Sequence, residues 1–149
     1  MKLSKGDQAP DFEGKDALGN TIKLSDYQGS KLILYFYPKD DTSGCTAQAC
    51  NLNENLEGLQ TAGYQVLGVS TDSGKSHQKF ITKYGLNFPL IADEDKKIVA
   101  LYDVWKEKSM YGKKYMGTLR TTFIIDENGI ITDIIEKVDT KNHTSQVLK

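Results

Sequence analysis

Continuous hydrophobic runs alternate with helix-like patterns along this chain, and that alternation predicts an α/β fold. The apolar run from Leu32 to Tyr37, rich in aromatic residues and closed by Pro38, is typical of a strand buried on both faces. Between about residues 46 and 59 the apolar residues recur three and four positions apart, and Gly63 marks the end of this predicted helix.

The rest of the chain continues the alternation. A second buried strand is predicted at residues 64–70 and a second helix at about 75–84, ended by Gly85. Two β-rich runs, 121–126 and 130–135, flank an Asn-Gly pair, which predicts a hairpin. A parallel β-α-β unit extended by an antiparallel hairpin gives a mixed central sheet with helices on both faces, the layout of thioredoxin-like folds.

Composition narrows the class of protein. With 149 residues, 38% of them hydrophobic, the chain is expected to form one domain over residues 1–149. A net charge of −1, with acids and lysines interspersed, predicts binding to neither nucleic acid nor anionic membranes. The start of the chain, Met1 to Asp7, lacks an apolar leader, and the longest apolar run is too short to span a bilayer. A cytoplasmic protein is expected.

Two cysteines, Cys45 and Cys50, are too few for the disulfide framework of a small secreted domain. In a reducing compartment such a pair is catalytic or binds metal. A structural zinc site needs four ligands, and His77 and His143 show no ligand spacing to the cysteines. We therefore expect neither metal nor cofactor, and we expect both histidines on helix surfaces, without a role.

Cys45 falls in the first turn of the predicted helix, where unpaired backbone N–H groups and the positive end of the helix dipole favour a thiolate. Arg120 is the only arginine beside 18 lysines, and it opens the first strand of the predicted hairpin. Its planar fork can donate to a thiolate and to a second acceptor together. Strand alternation puts Arg120, Thr122 and Ile124 on one face, but spacing leaves open whether that face meets Cys45.

Pro38, Thr42 and Cys45 form a Pro-x-x-x-Thr-x-x-Cys motif, in which the chain resembles the peroxiredoxins. Residues 35–50 are similar to the branch called PrxQ or bacterioferritin comigratory protein. The resemblance covers nearly the whole chain through further segments: Gly6-Asp7-x-Ala9-Pro10-x-Phe12, Gly68-Val69-Ser70-x-Asp72, Trp105-x-Glu107-Lys108 and Arg120-x-Thr122-Phe123-x-Ile125-Asp126. Two departures are Ser43, where the branch often has proline, and Asn53-Glu54, where it often has Arg-Asp.

The resemblance implies a thiol peroxidase that reduces hydrogen peroxide and organic hydroperoxides without a cofactor. It implies that Cys45 is peroxidatic and that Cys50 resolves the resulting sulfenic acid as an intramolecular disulfide. It also implies that Thr42 hydrogen-bonds the peroxide, Arg120 stabilises the thiolate and transition state, and Pro38 shields the pocket. Thioredoxin or a similar dithiol is the implied reductant, and a monomer is expected.

Helix geometry adds one prediction. Residues five apart on an ideal α-helix have Cα atoms about 9 Å apart, whereas a disulfide needs less than about 7 Å. The start of the helix must therefore unwind before a Cys45–Cys50 bond can form.

Each site residue also has a structural interpretation. Either cysteine can be an inert buried helix residue, Cys50 more readily than Cys45. Thr42 can be an N-cap, Pro38 a strand terminator and Arg120 a surface cation. The aromatic residues Trp105, Tyr111 and Tyr115 are expected to pack or to rim the pocket, and the lysines around them to form a solvated loop: Lys106, Lys108, Lys113 and Lys114.

Two other functions stay open. A thioredoxin-like disulfide reductase usually carries Cys-x-x-Cys, whereas four residues separate the cysteines here. A non-enzymatic redox sensor can share the fold, because fold does not determine function.

Overall fold

The computed structural model describes residues 3–148, so the expectation about a leader lies partly outside them, at Met1 and Lys2. The strands and helices run in the following order: β1 Glu13–Lys15, β2 Thr21–Lys23, a 3₁₀ turn Leu24–Tyr27, β3 Lys31–Phe36, α1 Ser43–Glu54, α2 Leu56–Thr61, β4 Tyr64–Ser70, α3 Gly74–Tyr84, β5 Leu90–Ala92, α4 Lys97–Leu101, β6 Trp105–Met110, β7 Lys113–Thr118, β8 Thr121–Ile125, β9 Ile131–Ile135 and α5 His143–Val147.

The central sheet has five strands in the order β5-β4-β3-β8-β9. Strand β3 pairs in parallel with β4 and antiparallel with β8, and the β8–β9 hairpin completes the sheet at one edge. This is the predicted combination of a parallel β-α-β unit with an antiparallel hairpin. The mixed α/β sheet of the prediction is confirmed.

Alternate side chains of β3 enter two separate cores, because successive residues of a strand point to opposite faces. Ile33 and Tyr35, together with Tyr37 just after the strand, pack with buried residues of α1, α2, α3 and α5. Leu32, Leu34 and Phe36 pack on the other face with α4. Helices therefore cover both faces of the sheet, and Cys45 belongs to the first core.

The helix predicted at residues 46–59 begins earlier and is interrupted. Helix α1 starts at Ser43 and ends at Glu54, and α2 begins at Leu56. Asn55 lies between them with ψ of 9°, outside helical geometry, and its side-chain amide donates to the Asn51 carbonyl at 2.8 Å. That carbonyl is the one the Asn55 backbone N–H would use in a continuous helix, so the side chain competes with the backbone and breaks the helix.

The predicted solvated loop around Lys106 and Lys113 is wrong. These residues form an antiparallel hairpin, β6–β7, which turns at Tyr111 and Gly112, both at positive φ. Most side chains on both faces of the hairpin remain exposed, so its sequence lacks the apolar alternation that marks a half-buried strand. Tyr111, which was expected to pack or to rim the pocket, is 98% exposed and therefore does not pack. Within residues 3–148, no helix is both long and apolar enough to cross a bilayer.

Candidate active site

Cys45 is the third residue of α1 and is only 1% exposed. The helix begins after Thr42, which has extended backbone angles and whose carbonyl accepts the first helical hydrogen bond, from Thr46 N at 2.8 Å. The Thr42 side chain does not cap the helix; its hydroxyl donates instead to the Lys39 carbonyl at 2.9 Å. The first-turn N–H groups thus receive no side-chain acceptor from the N-cap, and they leave the positive end of α1 beside the sulfur.

Arg120 lies directly before β8 and bridges two side chains of α1. Its Nη2 donates to Cys45 Sγ at 3.2 Å, and its Nη1 donates to Gln48 Oε1 at 2.7 Å. Gly44 permits this approach, because a Cβ atom there would lie only 3.2 Å from Arg120 Nη2. The structure therefore brings Arg120 to Cys45, the point that spacing left open, and the surface-cation interpretation of Arg120 is wrong.

The Arg120 fork also accounts for Gln48, a residue that was not predicted from the sequence. Gln48 is fully buried and lies three residues after Cys45, so both side chains are on one face of α1. Its Oε1 accepts from the guanidinium and fixes the orientation of the fork. The helical spacing of three from the cysteine is the signal that could have identified it.

A second cation approaches from the β6–β7 hairpin. Lys108 is partly buried, and its Nζ donates to the Thr118 carbonyl at 2.9 Å. Burial lowers the pKa of Lys108, the Arg120 charge lowers it further, and the Cys45 thiolate acts in the opposite direction. The hairpin that was predicted as a solvated loop thus places a lysine in the electrostatic field of the site.

The loop at residues 38–42 carries the other two predicted site residues. Pro38 is partly buried and lies two residues after the end of β3, which is consistent with its interpretation as a strand terminator. Thr42 is exposed at the start of α1. Between them, Asp40 is buried and Asp41 has φ of 56°, in the left-handed region. The structure brings Thr42, Cys45 and Arg120 to the first turn of α1, and Pro38 lies in the loop that leads into it.

Cys50 has different surroundings on the same helix. It is partly buried, and both thiols are free. Burial raises the pKa of the Cys50 thiol, and the Glu54 carboxylate raises it further. Helix α1 continues without interruption between the two cysteines. In this state the geometry matches the regular helix for which a Cα separation of about 9 Å is expected.

Both histidines are buried, so their predicted position on helix surfaces is wrong. His143 Nδ1 donates to Gln146 Oε1 at 2.8 Å, since an amide oxygen only accepts, and its Nε2 accepts from the Thr122 hydroxyl at 2.8 Å. Burial lowers the pKa of His143, and the nearby Arg120 charge adds to the effect. His77 lies on the buried face of α3, where a helical pattern of few apolar residues gave no sign of burial.

The ligand-type atoms of Asp40, Asp72 and His77 lie within 4.8 Å of one another. Each of these groups already meets a hydrogen-bonding group of the protein: Asp72 Oδ2 accepts from Ser70 Oγ and from the Asp40 backbone N–H, and His77 Nδ1 faces Asp40. The arrangement is that of a buried hydrogen-bond network beneath the loop at residues 38–42.

Known proteins that are similar to this chain agree with the geometry of the site. The profile of the AhpC/TSA family matches residues 5–134. Peroxiredoxin Bcp of Bacillus subtilis is 43% identical over 149 residues, covering 100% of this chain and 95% of that protein. Peroxiredoxin Bcp of Escherichia coli K12 is 44% identical over 146 residues, covering 98% of this chain and 94% of the relative.

Solved structures agree in fold over almost the full chain. A crystallised cysteine-to-serine mutant of Xylella fastidiosa PrxQ is 35% identical, with a TM-score of 0.93 over 99% of this chain and 94% of that one. A bacterioferritin comigratory protein of Xanthomonas campestris, solved in work on its alkyl peroxide reduction activity, is 39% identical. It has a TM-score of 0.86 over 92% of this chain and 87% of that one.

Proposed function

The chain belongs to the AhpC/TSA family as a peroxiredoxin of the Bcp/PrxQ kind, a thiol peroxidase, and from this premise we propose that Cys45 is its peroxidatic residue. The observation that carries the assignment is the 3.2 Å hydrogen bond from Arg120 Nη2 to Cys45 Sγ at the start of a helix. A guanidinium and a helix N-terminus together favour the thiolate, the form that attacks a peroxide. Cys50 has no comparable support.

The first step is an attack of the Cys45 thiolate on one oxygen of the hydroperoxide. An S–O bond forms, the O–O bond breaks, and the departing oxygen leaves as water or an alcohol after it takes up a proton. Negative charge moves from sulfur to the departing oxygen during this step. Donors already placed beside the sulfur, the Arg120 fork and the first amides of α1, therefore stabilise the transition state more than the ground state.

Thr42 and Pro38 act on the peroxide rather than on the sulfur. The Thr42 hydroxyl hydrogen is taken by the Lys39 carbonyl, which leaves the lone pairs of its oxygen free to accept. We assign these lone pairs to the O–H of the hydroperoxide, which they would hold with its O–O bond directed at Cys45. Pro38 covers the same end of the pocket, as the family resemblance implies.

The second step joins Cys45 and Cys50. The Cys45 sulfenic acid condenses with the Cys50 thiol to a disulfide and water. Because α1 is regular between the two cysteines, its first turns must unwind, and the exposed disulfide then becomes accessible to a reductant such as thioredoxin. The alkyl peroxide reduction named for the Xanthomonas relative supports organic hydroperoxides beside hydrogen peroxide as substrates.

The setting of the enzyme completes the proposal. Residues 1–149 act as one domain and as a monomer, in the cytoplasm, where thioredoxin-type reductants keep thiols reduced. A thioredoxin-like disulfide reductase and a non-enzymatic redox sensor are the alternatives. Reduction of insulin disulfides would favour the former, and peroxide oxidation of Cys45 without turnover would favour the latter.

The decisive experiment is rapid-mixing oxidation by hydrogen peroxide of the wild type, Cys45→Ser and Cys50→Ser. We expect Cys45→Ser to lose the reaction entirely with its fold intact. Cys50→Ser should keep the first oxidation but stop at the sulfenic acid, detected by mass and by trapping with a sulfenic-acid reagent. Peroxide consumption by Cys45→Ser at the wild-type rate would refute the proposal.

A further inference from the structure

The loop at residues 38–42 is fastened to the rest of the molecule by one buried carboxylate. Asp40 Oδ1 accepts from the Tyr37 hydroxyl at 2.6 Å, and Oδ2 accepts from the Ser76 hydroxyl at 2.8 Å. The same Oδ2 lies 2.6 Å from His77 Nδ1. Asp40 therefore ties the loop both to the end of β3 and to α3.

The neighbours of His77 determine how many hydrogens its ring carries. Nε2 lies 2.9 Å from the Ile91 carbonyl oxygen, which only accepts, so Nε2 carries a hydrogen. The 2.6 Å contact between Nδ1 and Asp40 Oδ2 needs a second hydrogen, because two facing lone pairs would repel. A hydrogen bond therefore joins the two residues, and their side chains are only 0% and 4% exposed.

The backbone of the loop also depends on outside support. Asp41 lies in the left-handed region at φ of 56°, a conformation that costs a non-glycine residue about 1 kcal/mol or more. The Asp40 backbone N–H donates to Asp72 Oδ2 at 2.8 Å, and that oxygen also accepts from Ser70 at 2.7 Å. The backbone preference of residue 41 does not favour this conformation of the loop. Contacts to α3 and to the residues at the end of β4 therefore hold the loop in place.

We propose that Asp40 and His77 form a positioning pair, which sets Pro38 and Thr42 against Cys45 without touching the sulfur. This inference rests on the proposed function of Cys45. Asp40 is two residues from both Pro38 and Thr42 in the chain, and the intervening Lys39 carbonyl holds the Thr42 hydroxyl. A displacement of the Asp40 carboxylate therefore moves both the residue that orients the peroxide, Thr42, and the residue that covers the pocket, Pro38.

Two substitutions of His77 separate its two hydrogen bonds. The amide nitrogen of asparagine is as many bonds from Cα as imidazole Nδ1, and that of glutamine as many as Nε2. His77→Asn therefore keeps a donor toward Asp40 and loses the one toward Ile91. His77→Gln does the reverse and leaves the buried Asp40 carboxylate without its partner.

The readout is the second-order rate of Cys45 oxidation by hydrogen peroxide, measured together with the pKa of Cys45 from the pH dependence of alkylation. We expect His77→Gln to slow the peroxide reaction by about tenfold or more, because a small misplacement of aligning groups has effects of this size. His77→Asn should lose less than about threefold. The pKa of Cys45 should stay the same in both, since Arg120 is undisturbed.

Lys83→Met is the matched control, because Lys83 forms an exposed ion pair with Asp41 in the same loop from the same helix, and such pairs contribute little. It should react at the wild-type rate. Equal rates for wild type, His77→Gln and His77→Asn would overturn the proposal, and so would equal losses in the two variants.

Ser76→Ala is a milder variant that tests the proposal if His77→Gln does not fold. Ser76→Ala removes one donor to Asp40 and leaves the pair in place. We expect a loss of about threefold with an unchanged Cys45 pKa, since one of the hydrogen bonds to Asp40 is lost. A wild-type rate in Ser76→Ala would then overturn the proposal. Absence of peroxide reduction in the wild type, or its presence in Cys45→Ser, would instead refute the function of Cys45.

Discussion

Cys45 and Cys50 lie on one helix, yet they differ in burial, in hydrogen bonding and in the charges beside the sulfur. Cys45 is almost fully buried and receives a hydrogen bond from Arg120 at the positive end of α1. Cys50 is more exposed, and burial together with Glu54 raises its pKa. A thiolate is therefore supported at the first position and disfavoured at the second. The proposed nucleophile and the proposed resolving thiol thus differ in electrostatic surroundings, not in residue type.

The two ends of α1 are also held in different ways. The Cys45 end follows a loop fixed by the buried Asp40 network, whereas the Cys50 end is attached to α5 through Asn51. The Asn51 side chain donates to the Lys141 carbonyl at 2.9 Å and accepts from the Thr144 N–H at 2.8 Å. These are contacts between partly exposed groups, and such contacts open more easily than a buried network. The first turns of α1, which must unwind before the disulfide forms, therefore follow the more firmly held loop.

The largest expected effect concerns the helix between the two cysteines. On formation of the Cys45–Cys50 disulfide, amides from Cys45 to about Asn53 should lose at least about a hundredfold of hydrogen-exchange protection, since several helical bonds open at about 1 kcal/mol each. Strand β3 should keep its protection. The comparison is between reduced protein and protein shown by mass to contain the intramolecular bond.

Unchanged protection across α1 in the oxidised protein would show that the disulfide forms without unwinding. A disulfide found only between chains would demote Cys50 to a structural cysteine. Either result would remove the conclusion that α1 must unwind to join Cys45 and Cys50. The contrast between the surroundings of the two thiols would remain.

The next effect is at Arg120. Arg120→Lys should slow the reaction of Cys45 with peroxide by at least about tenfold, or about 1.4 kcal/mol of transition-state stabilisation, because lysine cannot contact Cys45 and Gln48 with one planar fork. Rapid-mixing kinetics provide the measurement. Alkylation of Cys50 in the same variant is the control and should not change. A wild-type peroxide rate would exclude the proposed role.

The smallest effect concerns pH and the attachment of α5. The pKa of His143 is lowered by burial, so the unfolded chain binds a proton more readily than the folded one. This contribution to stability is complete above the ordinary histidine pKa of about 6.5 and is lost progressively as the pH falls from there to the lower folded value. Thermal unfolding from neutral to mildly acidic pH should show it.

His143→Gln is the control for this pH effect, since it removes the titrating ring. The difference in stability between wild type and variant should shrink as the pH falls below about 6.5. A difference that does not vary with pH would show that His143 contributes by packing alone.

Much of the fold could be predicted because it depends on patterns within single segments. Strand β4 was predicted at the residues where it lies, and α3 ends at Gly85, which adopts the left-handed conformation expected of a helix-ending glycine. The break at Asn55 and the β6–β7 hairpin were missed. The first depends on a side chain competing for a backbone carbonyl, and the second buries neither face, so no apolar period reveals them.

Some features of the candidate site could likewise be predicted from the sequence, and others only from the structure. The sequence by itself determined the motif residues Pro38, Thr42 and Cys45, the place of Cys45 in a first helical turn and the isolation of the single arginine. Only the tertiary structure decided that Arg120 contacts Cys45 and Gln48, and that both histidines are buried. Local position along a helix follows from neighbours in the chain, whereas a contact between residues 75 apart depends on how β8 pairs with β3 and how α1 packs across them.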